Sequence, residues 1–194
     1  MDNAHAEPPL PHVEKPQDFR DLGPVDISSV WAQVQRLSEQ VWNLENDVKE
    51  NKFSVFHHTR HIVFRFTPSN RDPREAYSNP IWTVWKPLLR PLMEKIVEPY
   101  GHKACAFPKV MLARLAAGAV IDRHTDGAGS NLVTHKMHVP LQTNPDAVFH
   151  IGAVTRHLEL GRAYEVNNIV SHGVVNGGTE DRIHLIFEHY DAKP

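Results

Sequence analysis

The chain has a single cysteine, Cys105, in 194 residues. No internal disulfide can form, so a reducing cytosol is the expected setting and packing has to hold the fold. Cys105 itself reads as a small packed residue rather than a nucleophile. Neither sign of charge dominates: 21 Lys and Arg against 23 Asp and Glu leave a formal net charge of -2. Without a basic surface, nucleic acid is not an expected partner. No apolar run approaches the roughly 20 residues that cross a bilayer, so no membrane partner is expected. The stretch from Met1 to Pro16 is polar and proline-rich and lacks the apolar centre of a signal peptide. What remains is ordinary for a globular protein, with 41% hydrophobic and 23% charged residues. The length suits one domain with a sizeable core. The unusual count is 14 histidines, although abundance alone makes no metal site.

Residues 1–24 carry several prolines and little periodicity and read as a partly ordered arm. From Asp26, a reasonable N-cap, the pattern turns helical: Ile27, Val30, Val34, Leu37, Val41, Leu44 and Val48 recur at steps of three and four along one face. Trp31 and Trp42 widen that stripe, which favours a helix packed on a sheet over a coiled-coil seam. Ile62–Phe66 reads as a strand, and Thr67–Asn79 as a polar loop. Asn79-Pro80 looks like a helix start. Pro87 and Pro91 predict two helical pieces, the second running to about Val97. After Gly101 short apolar segments alternate with Gly, Asn and Asp turns. Strands are expected near Val110–Leu115, Val120–Arg123, Thr134–Leu141, Ala147–Ile151, Arg162–Glu165, Gly173–Asn176 and Arg182–Glu188. Helices first and strands after give an α+β, mainly β chain, a sandwich or barrel with the helices buttressing one sheet. The expected division is an arm over 1–24 and a single domain over 25–194, with a helical buttress over 25–101 and a β core over 105–190.

Four segments carry chemistry. In His124-Thr125-Asp126 an extended backbone points the two outer side chains the same way. His172 lies among apolar and small residues, as a ligand fixed on a strand would. Two histidines and a carboxylate are the donor set of a non-haem Fe(II) that keeps positions open. Arg182, ten positions beyond His172, opens a strand on which alternation groups Arg182, His184 and Ile186. An arginine turned inward needs an anion, because an unpaired buried charge is very costly. That anion could be a bound carboxylate, held in a bidentate fork, or a protein carboxylate such as Asp122 or Glu165. In the fourth segment Lys136 and His138 share a face opposite Met137 and Val139, with Thr143 and Asn144 at the strand end. Taken singly, each has a plain alternative: a chance tripeptide, a hydrogen-bonded core histidine, an internal salt bridge, a solvated edge.

Together and in this order, the segments Arg114–Asp126, His138–Pro145, Gly161–Asn168 and His172–Asn176, with Arg182 beyond, resemble the aspartyl/asparaginyl β-hydroxylase family of Fe(II)- and 2-oxoglutarate-dependent dioxygenases. The resemblance runs from about Lys109 to Tyr190. It implies a double-stranded β-helix, a jelly-roll or cupin-like barrel buttressed by the N-terminal helices. It implies His124, Asp126 and His172 as catalytic iron ligands, and Arg182 on the distal carboxylate of 2-oxoglutarate. It also implies His138 as a helper in co-substrate binding, and Lys136 where many members have arginine; lysine offers a point charge rather than a planar fork. Fe(II), 2-oxoglutarate and O2 would then serve hydroxylation of an unactivated C–H bond in an amino acid, a peptidyl residue or another small metabolite. Asn167, Asn168 and Asn176 are candidates for orienting the ligands or for ordinary turn roles. Arg71, Arg74 and Arg123 are candidates for meeting a substrate carboxylate or for solvated surface charge. Two rival readings stay open: a cupin-like metalloenzyme that does not use 2-oxoglutarate, and a non-catalytic binding module on the same barrel.

Overall fold

The last strand shows how the chain builds its layers. Along Arg182–Asp191 alternate side chains point to opposite faces. Ile183, Leu185 and Phe187 enter one apolar cluster, while Arg182, Ile186 and Glu188 line a cavity on the other side. The computed structural model describes residues 8–193. Its strands are β1 (Phe19–Pro24), β2 (Thr59–Phe66), β3 (Tyr77–Ser78), β4 (Cys105–Leu115), β5 (Val120–His124), β6 (His135–Gln142), β7 (Ala147–Ile151), β8 (Val154–His157), β9 (Arg162–Val166), β10 (His172–Asn176) and β11 (Arg182–Asp191). Its α-helices are α1 (Ser28–Val34), α2 (Glu39–Val48), α3 (Trp82–Val97) and the single turn α4 (Ser130–Val133). The strands make two antiparallel sheets, one ordered β1-β9-β6-β11-β4-β2-β3 and one ordered β5-β10-β7-β8. Leu115, Tyr164 and Val166 of the large sheet pack with Ile121, Phe149, Ile151 and Val174 of the small one. The outer face of the large sheet is covered by α1, α2 and α3, through Val30, Trp42, Trp85 and Leu89.

The expected strands all form, most of them longer than expected. Three further strands appear. β1 lies in the segment expected to be an arm; it pairs with β9, and its bulge between Asp21 and Gly23 hides any alternation. Residues 1–7 of that arm fall outside the described ones. β3 is two residues long, and β8 pairs with β7 through a tight turn.

The long helical stripe is two helices. Ser38 takes an extended conformation and its Oγ accepts from the Val41 N–H, so a new helix starts there with its own register. Leu44 and Val48, the end of the predicted stripe, are consequently exposed. Asp26 sits one residue before the N-cap of α1 and its carboxylate accepts from the Ser28 N–H at 2.9 Å.

The two pieces expected around the prolines are one 16-residue helix, α3, with Pro87 and Pro91 inside it. Both prolines are exposed, so the carbonyls they leave without an N–H partner can meet water. The opposite face buries Trp82, Trp85, Leu89, Met93 and Ile96, and full burial of each such side chain stabilises by about 1.5–3 kcal/mol. That sum outweighs roughly 3 kcal/mol per helix-interior proline. Leu89 has no exposed surface, so Leu89→Ala is expected to lower the unfolding free energy by about 2–5 kcal/mol in urea denaturation; a loss under 1 kcal/mol would show that α3 is not packed as described.

Candidate metal and co-substrate site

Strand pairing brings the two separated histidines together. β5 and β10 are antiparallel, and His172 stands directly opposite His124, their ring centroids 4.3 Å apart. The register shifts immediately after His172, at Gly173. A Cβ on Gly173 would lie 2.9 Å from the Ile121 carbonyl, so only glycine permits this close approach. Each histidine is oriented from behind. His124 Nδ1 lies 2.8 Å from the Asp122 carbonyl, and His172 Nδ1 lies 2.9 Å from the Val170 carbonyl. A carbonyl only accepts, so Nδ1 carries the proton in both rings and each Nε2 presents its lone pair. Asp126 Oδ1 is 3.7 Å from Nε2 of His124 and 4.0 Å from Nε2 of His172. The three donor atoms lie within 4.8 Å of one another.

Asp126 is held on its other oxygen. Its Oδ2 accepts from Lys136 Nζ at 2.5 Å and from Asn168 Nδ2 at 2.9 Å, and its backbone N–H donates to the Asn168 carbonyl. Burial alone would raise the Asp126 carboxyl, but Lys136 and His172 beside it prevail and hold it well below the usual carboxylate range. Burial works against the Lys136 ammonium as well; the adjacent Asp126 more than offsets it and the lysine is raised. Lys15, from the N-terminal segment, donates to Asn168 Oδ1 and to the Thr134 carbonyl, each at 2.8 Å. Burial brings Lys15 down to about 8.

The triad opens into a cavity of about 360 Å³ between the sheets. His124, Asp126, His172, Lys136, His138 and Arg182 all line it. Its formally charged lining is three cations, Lys109, Lys136 and Arg182, and two carboxylates, Asp126 and Glu188. Lys136 takes Asp126 and Lys109 takes Glu188 at 3.1 Å. Among the described residues, Arg182 is left without a carboxylate. Its side chain is 2% exposed, its Nε and a terminal nitrogen approach only the His184 ring, and its guanidinium lies 4.7 Å from the Phe149 ring centre. A neutral imidazole has one lone pair, so His184 can accept from only one of those nitrogens. Burial depresses Arg182 to about 9. His138 and His184 are held well below 6.5, first by burial and then by Arg182, so both are neutral at pH 7.

The protein carboxylates considered as partners for Arg182 are placed elsewhere. Glu165 meets Arg20, Tyr100 and His135, and Asp122 is exposed. Asn168 does orient a triad member, whereas Asn167 binds the Pro16 carbonyl and Asn176 binds the Leu115, Ala116 and Glu180 carbonyls. Asn144 closes its own turn and donates to Asn176, with no contact to the triad. Arg74 is engaged by Asp72 and Arg123 by the Gly152 carbonyl. Arg71, Arg74 and Arg123 do not line the cavity. Sequence reasoning missed Lys15, the Lys109–Glu188 pair and the aromatic wall from Phe53 and Phe56. Each comes from a segment with no motif. With no metal bound, burial pushes the half-buried Cys105 thiol up to about 12, so the free side chain is a thiol rather than a nucleophilic thiolate at neutral pH.

A sequence profile of the aspartyl/asparaginyl β-hydroxylase family matches residues 87–191. The chain belongs to this family, and so to the 2-oxoglutarate-dependent hydroxylases. No curated protein matches it. Among solved structures, the fold is similar to a 2OG-Fe(II) oxygenase family oxidoreductase from Burkholderia pseudomallei, at 12% identity and a TM-score of 0.52, covering 95% of this chain and 96% of that one. It is similar to HygX from Streptomyces hygroscopicus with nickel and 2-oxoglutarate bound, at 13% identity and a TM-score of 0.56, covering 91% and 84%. It is also similar to EvdMO1, at 12% identity and a TM-score of 0.58, covering 90% of this chain and 47% of that one.

The unmatched guanidinium has a direct consequence for stability. Removing a buried charge that lacks a partner relieves its desolvation cost. Arg182→Met is therefore expected to raise the unfolding free energy of the ligand-free protein by about 1–3 kcal/mol in urea denaturation; a destabilised variant would mean that the cation already has an internal counter-ion.

Proposed function

We propose that the protein is an Fe(II)- and 2-oxoglutarate-dependent dioxygenase that hydroxylates an unactivated C–H bond of an amino acid, a peptidyl residue or another small metabolite, with succinate and CO2 as co-products. Residues 25–194 are read as one dioxygenase domain, and the two facing sheets as its double-stranded β-helix. One observation carries this reading: Arg182, a buried cation with no carboxylate among the described residues, lines the same cavity as the His124–Asp126–His172 triad. The donor set fits Fe(II). Both Nε2 lone pairs are free of hydrogen bonds, and Asp126 Oδ1 is not taken by Lys136 or Asn168. An iron and a dicarboxylate, when bound, supply the oxygen activation that no protein side chain can.

The chain's own residues have distinct tasks. His124 and His172 offer Nε2 because the Asp122 and Val170 carbonyls fix the tautomer. Lys136 and Asn168 keep Asp126 ionised and aim its free oxygen. Arg182 holds the far carboxylate of 2-oxoglutarate in a fork, in a low-dielectric wall where the pair is not screened. His138, neutral and 6% exposed, adds a donor beside it. Phe53, Phe56, Phe66 and Met111 line the cavity and exclude water. A cupin-like enzyme without 2-oxoglutarate, or a binding module, leaves the Arg182 charge unexplained.

His124→Ala, Asp126→Ala and His172→Ala are each expected to abolish succinate formation from 2-oxoglutarate; normal turnover by His172→Ala would remove it from the metal. Arg182→Ala should act mainly on the apparent KM for 2-oxoglutarate, so unchanged affinity would end its assignment. Asn168→Ala should weaken Fe(II) binding about 10–100-fold in an anaerobic titration, because Asp126 loses an orienting partner; parent-like affinity would show that Lys136 suffices.

A further inference from the structure

The outward side-chain series of β11, Leu185 and Phe187, ends at His189, on the face of the large sheet opposite the cavity. His189 has no exposed surface, and its surroundings are unusual for a buried histidine. Among the described residues, Nδ1 meets only another imidazole nitrogen, Nε2 of His102, at 2.8 Å, and Nε2 has no hydrogen-bond partner. No carboxylate, carbonyl or hydroxyl satisfies either nitrogen, although buried polar groups are normally paired. The neighbouring groups are already committed: Tyr100 donates to Glu165 at 2.7 Å, and His135 Nδ1 lies 2.6 Å from the same carboxylate. Cys105, the first residue of β4, completes a group in which one donor atom each from His102, Cys105 and His189 lies within 4.8 Å of the others. The loop that carries His102 and Cys105 is pinned. Asp191, paired opposite Cys105, accepts from the Lys103 and Ala104 N–H groups at 2.9 Å each.

We propose that His102, Cys105 and His189 form a second metal site, for one zinc-class ion, separate from the triad in the cavity. Two imidazole nitrogens in contact share a single proton between two lone pairs, and a metal ion bound there would take both lone pairs at once. Two imidazoles and a thiolate suit Zn(II) and are poor donors for magnesium or calcium. His102 and Cys105 are both half-buried, which gives the ion a route in and leaves a fourth position for water. Binding displaces the thiol proton to solvent, shifts the proton between the two rings to the other nitrogen of its own ring, and changes no oxidation state.

The test is a Co(II) titration of the whole protein, reduced, stripped of metal and kept anaerobic. A thiolate ligand gives cobalt an intense near-ultraviolet charge-transfer band, and the His124–Asp126–His172 triad contains no sulfur. The parent is expected to develop that band to saturation, and added zinc to abolish it. The His124→Ala/Asp126→Ala double variant should keep the band at parent intensity. Cys105→Ser should lose it, retain one equivalent of zinc fewer after dialysis, and melt without metal at the parent temperature. His102→Ala, at a half-exposed position, serves the same purpose if Cys105→Ser fails to fold. A parent protein with no charge-transfer band, or a Cys105→Ser variant that retains as much zinc as the parent, would overturn the second site. Neither result bears on the cavity, so the two assignments fail independently.

Discussion

The register of β11 is the constraint on which the rest depends. This strand lies between β4 and β6 in the seven-stranded sheet, hydrogen-bonded on both sides. Its alternation sends Leu185 and Phe187 toward the helices and Arg182 and Glu188 toward the cavity. A slip of one residue would exchange the two sets and put a guanidinium into the apolar layer. The neighbouring strands obey the same division: Met137 and Val139 of β6 face the helices, and Lys136 and His138 face the cavity. The apolar layer under α3 therefore also fixes the positions of the charged groups on the inner face.

The inner face concentrates charge where the dielectric is low. Lys109 and Glu188 neutralise each other, with Asn131 and Thr134 satisfying further positions around them. Lys136 and Asp126 form a second pair at the triad. Arg182 is the remainder, wrapped by His184 and Phe149. Stability alone would not retain an unmatched buried cation, since an apolar residue of similar size avoids the desolvation cost. An anionic ligand that enters the cavity gives that cost a purpose.

Much of this was legible in the sequence. The β-rich half was readable because its strands are short, apolar and separated by turn residues, and alternation alone grouped Arg182 with His184 and Ile186. The triad was legible only as a set: extended-chain alternation groups His124, the last residue of β5, with Asp126 just beyond it, but nothing local says that His172 pairs opposite His124. That pairing is a long-range register choice, helped by the close approach that Gly173 permits. The helical half was harder. Pro87 and Pro91 argue locally for a break, and tertiary burial of Trp85, Leu89 and Met93 overrides them. The break at Ser38 went unread because the hydrophobic stripe continues through it. Lys15 was invisible for a different reason: its partners, Thr134 and Asn168, are more than a hundred residues away.

The proposed Fe(II) site at His124, Asp126 and His172 and the proposed 2-oxoglutarate anchor at Arg182 share one cavity. The most direct measurement is an anaerobic titration of 2-oxoglutarate into the Fe(II)-loaded protein, followed by visible absorption. Chelation of the metal by the 2-oxo acid produces a metal-to-ligand charge-transfer band. The band is expected to grow to saturation at one equivalent of 2-oxoglutarate per iron. An Fe(II)-loaded protein that takes up 2-oxoglutarate without developing the band, or does not take it up at all, would contradict the proposal.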